Sequence, residues 1–202
     1  MSLVSMSALV KAALEGQVVS FPTDTVPALA VRPTDAPQIF KLKNRPANKP
    51  LILMAAEPDQ LWQLAAGSDT EREAWQALAA QGWPGPLTLV LPCSSAVPDV
   101  VNPGLTSIGL RIPDHPIALK ILQQTGPLAT TSANVSGEAP LLDPLSIEAA
   151  FPAVQVLAWE QSEQAIHSGL PSTVVEWQGV TAIEGKPSWR LLRQGAFQLP
   201  SE

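Results

Sequence analysis

Short apolar, β-branched runs that halt at prolines alternate with segments of helical periodicity along almost the whole chain, and this alternation restricts the fold more than any other feature. Residues 17–21 (QVVSF) form the first such run and stop at Pro22, which leaves Thr23, Asp24 and Thr25 at a strand tip. Further strands are expected at 51–54, 87–91, 107–112, 127–131, 154–158, 172–177 and 189–192. Leu3, Met6, Val10 and Leu14 recur at helical spacing up to Gly16, predicting an amphipathic helix before the first strand. Thr34 can cap a helix through Ile39, Phe40 and Leu42, and Pro46 turns Arg45 away from helical angles, so that helix should end near Lys43. Helices are also expected at 57–65, 70–80, 116–124 and 145–151, the second with Ser68 and Glu71 as a capping box. Residues 83–86 read as a turn. The 21 prolines sit mostly at element edges, and no linker, repeat or low-complexity tract divides the chain. The expectation is one α/β domain over residues 1–202 with a twisted mixed sheet flanked by helices.

Composition enters as a set of exclusions. With 46% hydrophobic residues the chain has ample material for a core and needs no covalent staples. Cys93 stands alone, so no internal disulfide forms, and His115 and His167 are the only histidines, so no protein-built metal site is expected. The N-terminus lacks a basic region before its apolar residues, and no signal peptide is indicated. The apolar run 51–56 is about a third of the roughly twenty residues that a spanning helix needs. A soluble, cytoplasmic protein without membrane contact is expected. The net charge of -6 and pI near 4.9 argue against wholesale coating of nucleic acid.

Against that acidity, Lys41, Lys43, Arg45 and Lys49 place four of the twelve Lys and Arg residues in KLKNRPANK, with no acidic residue from Ala36 to Ala56. Unneutralised charge of this density repels itself, so an anion is the expected partner. The bland alternative is that lysines near a helix C-terminus satisfy its dipole, and the spacing weighs the two equally. Residues 130–137, TTSANVSG, are small hydroxyl and amide side chains ending in glycine, suited to phosphate oxygens but also ordinary turn formers. Neither GxxxxGK[ST] nor GxGxxG occurs, so a phosphate site would be unconventional. Arg111 lies in an apolar strand and should meet a carboxylate, a phosphate or an internal acid, because an unpaired buried guanidinium is costly. Asp24 could bond a substrate amine or cap the turn, and the sequence favours the turn; His115 reads as a helix-start residue, Cys93 as a packing residue and the six tryptophans as core.

In their order, FPTDTV (21–26), KLKNRPANKPL (41–51), WPGPLTLVL (83–91), GLRIPDHPIAL (109–119), TSANVSG (131–137), STVV (172–175) and LLRQGA (191–196) resemble the YrdC-like family of threonylcarbamoyl-AMP synthases. The likeness covers nearly the whole chain and is that of the short, TsaC-type form without an additional C-terminal domain. It implies a positively lined concave cleft and synthesis of L-threonylcarbamoyladenylate from ATP, L-threonine and bicarbonate, with release of pyrophosphate. The product would feed N6-threonylcarbamoyladenosine formation on tRNA, completed by partner proteins. By motif, Lys43 and Arg45 would carry catalysis and meet the anions, Thr25 and Arg111 would serve the substrate, and Ser132, Asn134, Ser172 and Arg193 would line the nucleotide site, Ser172 also facing substrate. Magnesium would arrive with ATP, not in a protein cage.

Such chemistry needs no protein nucleophile, only cations, hydroxyls and exclusion of water around several anions. After PTDTV the family usually carries an aromatic residue and glycine, whereas this chain has Pro27 and Ala28, altering one wall of the implied threonine pocket. Two other functions compete. A non-catalytic RNA-binding module would use the basic island on phosphates, with weak tRNA contact. A carbamoyl-adenylate former would take carbamoyl phosphate in place of bicarbonate.

Overall fold

The computed structural model describes residues 3–44, 46, 49–135, 137–159, 169–181 and 185–199. In chain order these form β1 (Leu3–Val4), α1 (Met6–Leu14), β2 (Val19–Phe21), β3 (Ala28–Val31), a 3-10 turn at Pro33–Asp35, α2 (Pro37–Leu42), β4 (Ile52–Met54), α3 (Pro58–Trp62) and α4 (Asp69–Gly82). There follow β5 (Leu87–Pro92), β6 (Ser107–Arg111), α5 (Pro116–Thr125), β7 (Leu128–Ser132), α6 (Pro144–Ala150), β8 (Gln155–Leu157), β9 (Thr173–Val180) and β10 (Pro187–Arg193).

All ten strands join one mixed sheet in the order β1-β8-β2-β3-β7-β4-β6-β5-β9-β10. Helices pack onto it, α1 against α5 and β8, α6 against β8, α2 against β3 and α4 against β5. The core is continuous across the sheet, with Leu9, Phe21, Leu29, Ile39, Leu53, Trp75, Leu89 and Ile108 fully enclosed. Among the described residues no helix is long and apolar enough to cross a membrane.

Capping chemistry decides several boundaries as expected. The Ser68 hydroxyl accepts from Glu71 N while the Glu71 carboxylate accepts from Ser68 N, closing a reciprocal box at the start of α4. His115 occupies the residue before α5, and Lys43 the residue after α2. Asn44 then adopts a left-handed φ of 46°, turning the chain away from the helix.

Elsewhere the structure departs from the pattern. The first helix starts at Met6, capped by Ser5, because Leu3 and Val4 pair in parallel with Val156 and Leu157. Its packed face is Leu9, Val10, Ala12 and Ala13, whereas Leu14 is 49% exposed. The two alanines allow close approach, a signal that the spacing of the larger residues obscured. Thr34 does not cap α2; its hydroxyl bonds Asp35, and Pro37 opens the helix after the 3-10 turn. Strand β3 was not expected at all, since PALAV is alanine-rich and alanine is depleted in strands. It is buried throughout because it lies between β2 and β7.

That placement brings two distant loops together. Ala28 pairs with Ser132 across β3 and β7, and Ala133 N donates to Pro27 O at 2.8 Å. The PTDTVP loop and the SAN loop are therefore neighbours at one end of these strands.

Candidate active site

Three groups of polar contacts join the motifs. In the first, the Arg111 guanidinium at the end of β6 donates to Asp24 Oδ1 at 2.6 Å, to Thr25 Oγ1 at 2.9 Å and to Gly85 O at 3.0 Å. The pair is enclosed, with Arg111 and Asp24 side chains 3% and 9% exposed. Arg111 thus meets an internal acid, as the cost of an unpaired guanidinium demands. Asp24 is not the turn cap; Thr23 takes that role, donating to Val26 O at 2.7 Å and accepting from Thr25 N at 3.2 Å. Asp24 Oδ2 is buried without a hydrogen-bond donor among the described residues.

The second group centres on Lys43, 3% exposed, whose Nζ donates to Ser132 O at 2.5 Å and Asn134 Oδ1 at 3.0 Å. Ser132 Oγ donates to the same Asn134 oxygen at 2.5 Å, and the Asn134 amide donates to Val135 O and Glu138 O, bracing the loop. Of the basic island, Lys43 alone among the described residues turns inward, while Lys41 and Lys49 stay exposed. Arg45 lies outside the described residues.

The third group joins β5, β9 and β10. Arg193 donates through Nε and Nη2 to Ser172 O at 3.1 and 2.8 Å and through Nη2 to Ser172 Oγ at 3.2 Å. Thr88 Oγ1 lies 2.8 Å from Ser172 Oγ. The segment after β10 straps this group down: Gly195 N donates to Thr173 Oγ1 at 2.9 Å and Ala196 N to Pro171 O at 3.0 Å. No side chain fits at Gly195, where a Cβ would come within 2.2 Å of Pro171 O.

Electrostatics link the first and third groups. Burial holds the Arg111 pKa below its ordinary range; the Asp24 carboxylate opposes that, and the positive charge of Arg193 adds to the lowering. Burial also lowers the Arg193 pKa. Arg193 has no acidic partner among the described residues, and the Asp24 carboxylate is paired with Arg111. Such a set favours bound anions, and the Ser172 hydroxyl lies beside it, 3.2 Å from Arg193 Nη2. Among the described residues no cluster of three or more His, Cys, Asp or Glu could hold a metal. A separate concavity of about 610 Å³, lined by Gln17, Val18, Gln38, Lys41, Leu42, Ala153 and Val154, lacks these convergent groups.

Thus Thr25 and Arg111 meet, Lys43 meets Ser132 and Asn134, and Ser172 meets Arg193. Asp24 as the Arg111 anchor and Thr88 as the Ser172 partner were missed. Thr88 carried a signal, as the sole polar residue in the run 87–91, LTLVL. Asp24 carried none, because its partner is 87 residues away. The tryptophans belong to the core: Trp75, Trp159 and Trp177 are buried, and Trp62 stacks on Trp83 at 5.2 Å.

The fold that brings these three groups of contacts together is that of a YrdC-like α/β protein. The Sua5 protein of Pyrococcus abyssi, solved in complex with L-threonine, superposes with a TM-score of 0.78 at 34% identity, covering 94% of this chain and 54% of that one. YciO of Escherichia coli shares the fold, with a TM-score of 0.74 at 21% identity, covering 96% of this chain and 90% of its own. Residues 11–195 match the model of the Sua5/YciO/YrdC family, described as telomere recombination, and the chain belongs to that family. Relatives named threonylcarbamoyl-AMP synthase include one from Pyrococcus abyssi, 45% identical over 128 residues, and one from Bacillus subtilis, 41% identical over 132. Each match covers 61% of this chain but only 37% and 36% of those longer sequences. A Vibrio vulnificus synthase is 37% identical over 138 residues, 66% of this chain and 74% of its own length.

Proposed function

We propose that this chain is an L-threonylcarbamoyladenylate synthase, converting L-threonine, bicarbonate or CO2, and ATP to threonylcarbamoyl-AMP and pyrophosphate. The observation that carries the reading is the meeting of separate motifs in space: PTDT with Arg111, Lys43 with SAN, and Ser172 with Arg193. In this reading the threonine amine attacks CO2, or bicarbonate with loss of water, and loses a proton to give a carbamate. A carbamate oxygen then bonds to the α-phosphorus as the bond to the bridging oxygen of pyrophosphate breaks.

The residues present suit that sequence, because it asks for neutralisation and alignment of anions and for no covalent enzyme intermediate. Arg193, Ser172, Ser132 and Asn134 border the nucleotide, while Thr25 and Arg111 shape the threonine side of the cleft. Lys43, with Arg45 by its motif, neutralises the carboxylate, carbamate and phosphate charges, making the cleft positive. Magnesium enters bound to the ATP phosphates as part of that substrate. The product passes to partner proteins that complete N6-threonylcarbamoyladenosine on tRNA.

The test is mass-spectrometric detection of threonylcarbamoyl-AMP with pyrophosphate release, omitting ATP, magnesium, L-threonine and bicarbonate in turn. Product is expected only from the full mixture. Folded protein that binds ATP yet yields no product would overturn the reading, and product from carbamoyl phosphate in place of bicarbonate would reassign the donor.

A further inference from the structure

Thr88 and Ser172 are both buried, at 0% and 4% exposure, and their hydroxyl oxygens are 2.8 Å apart. Either could donate to the other, and hydrogen-bond accounting decides between them. If Ser172 donated, the Thr88 hydrogen would have no acceptor, since Thr88 makes no other side-chain hydrogen bond among the described residues. A buried hydroxyl hydrogen left unpaired is disfavoured. If Thr88 donates, its hydrogen is satisfied. Ser172 Oγ then accepts from Thr88 and from Arg193 Nη2 at 3.2 Å, which occupies both of its lone pairs. Its own hydrogen is left without an acceptor among the described residues.

We propose that Thr88 is a positioning residue that fixes the Ser172 hydroxyl as a dedicated donor to an anionic ligand oxygen. Several observations converge on an anion. Arg193, on the other side of Ser172, has no carboxylate partner among the described residues, and its Nη1 makes no hydrogen bond there. The strap at Gly195 and Ala196 prevents Ser172 from moving away, since it is bonded to Pro171 and Thr173 on either side. A hydroxyl able to rotate could accept as readily as donate. One whose lone pairs are both taken can only donate, so it discriminates for oxygens bearing charge and against ligand N–H groups.

The oxygen is a carboxylate or a phosphate, and its assignment to L-threonine or ATP rests on the synthase reading. The donor direction itself stands on the hydrogen-bond accounting alone.

The experiment is calorimetric titration of wild type, Thr88→Val, Thr88→Ser, Ser172→Ala and the Thr88→Val/Ser172→Ala double variant with L-threonine, ATP and inorganic pyrophosphate, alongside product formation. Valine matches threonine in shape, so the folded state is retained and checked by thermal melting. Loss of one charge-assisted hydrogen bond in Ser172→Ala should weaken a single ligand class about tenfold. Thr88→Val should weaken the same ligand about threefold, since the hydroxyl is still present but free to rotate. Thr88→Ser should restore wild-type affinity, and Thr88→Val should add nothing in the Ser172→Ala background.

Loss of threonine affinity names the carboxylate, and loss of ATP and pyrophosphate affinity names a phosphate oxygen. An unchanged affinity for every probe in either Thr88→Val or Ser172→Ala would overturn the proposal, as would a Thr88→Val effect undiminished in the double variant. Wild type that binds these ligands but makes no threonylcarbamoyl-AMP would remove the synthase reading while the binding data still judge the donor. Wild type that binds none of them would remove both.

Discussion

Lys43 is where charge, burial and motif coincide most tightly. Its ammonium is enclosed and bridges the SAN loop at Ser132 O and Asn134 Oδ1. Replacing it by alanine should cost about 2–4 kcal/mol of transition-state stabilisation, the scale of a lost preorganised electrostatic donor. The measurement is kcat/KM for product formation, and near-normal turnover would contradict the assignment. Asp24 predicts a different phenotype. Asp24→Ala would leave the Arg111 guanidinium buried without its counter-charge, and about 3–5 kcal/mol of stability should be lost in urea titrations. A variant as stable as wild type would show that the pair contributes nothing to the fold. That Arg111 needs an acid was legible from its apolar strand. Which acid was not, because hydrogen bonding across 87 residues leaves no trace in local pattern. Pro27 and Ala28 belong to this scale as well. Threonine should remain preferred over serine and valine in competition, and selection of another amino acid would show that this wall sets the pocket.

At the scale of elements, the start of α4 couples a cap to the sheet. Glu71 accepts from Ser68 N at 2.9 Å, from Trp177 Nε1 at 3.0 Å and from Ser68 Oγ at 2.9 Å. The Ser68 backbone bond first, then the Trp177 indole and the Ser68 hydroxyl, lower its pKa from the ordinary 4.5. A depressed carboxyl stabilises the fold above its unfolded value and loses that contribution as pH falls through the folded value. Glu71→Ala should therefore cost about 1–2 kcal/mol at neutral pH. The deficit should narrow as pH falls below the ordinary value of 4.5, and melting curves across that range would show it. A deficit independent of pH would mean that packing against Trp177, not charge, sustains the contact. The strap after β10 makes a steric prediction. Gly195→Ala places a Cβ within 2.2 Å of Pro171 O and 2.6 Å of Ser172 O, so Ser172 must shift. A stability loss of about 1–3 kcal/mol is expected, with a rise in KM read from initial rates. The α4 box was legible because its partners are three residues apart; the strap was not, because its constraint lies in backbone carbonyls brought together by β9 and β10.

Over the whole molecule, charge bears on partners. The chain carries a net charge of -6, and Lys43 and Arg111 are enclosed by protein acceptors. Affinity for tRNA should be no better than nonspecific, about 10⁻⁴ M at physiological salt. Filter binding across a salt series checks this, and tight, salt-sensitive retention would revive an RNA-binding role. The alternation of proline-bounded strands and helices by itself determined an α/β chain with a mixed sheet, because hydrophobic period, capping and the missing proline N–H act within a few residues. The same locality made the helix ends at Lys43 and Ser68 readable, together with the kinds of side chain a multi-anion site requires. Only the tertiary structure decided that alanine-rich β3 would be a central strand, that β7 would lie between β3 and β4, and that PTDT and SAN would therefore become neighbours. It also chose Lys43 over Lys41 for the interior and set Thr88 behind Ser172. Those outcomes depend on strand pairing and side-chain burial between residues remote in sequence, whose free energies exist only once the sheet has assembled.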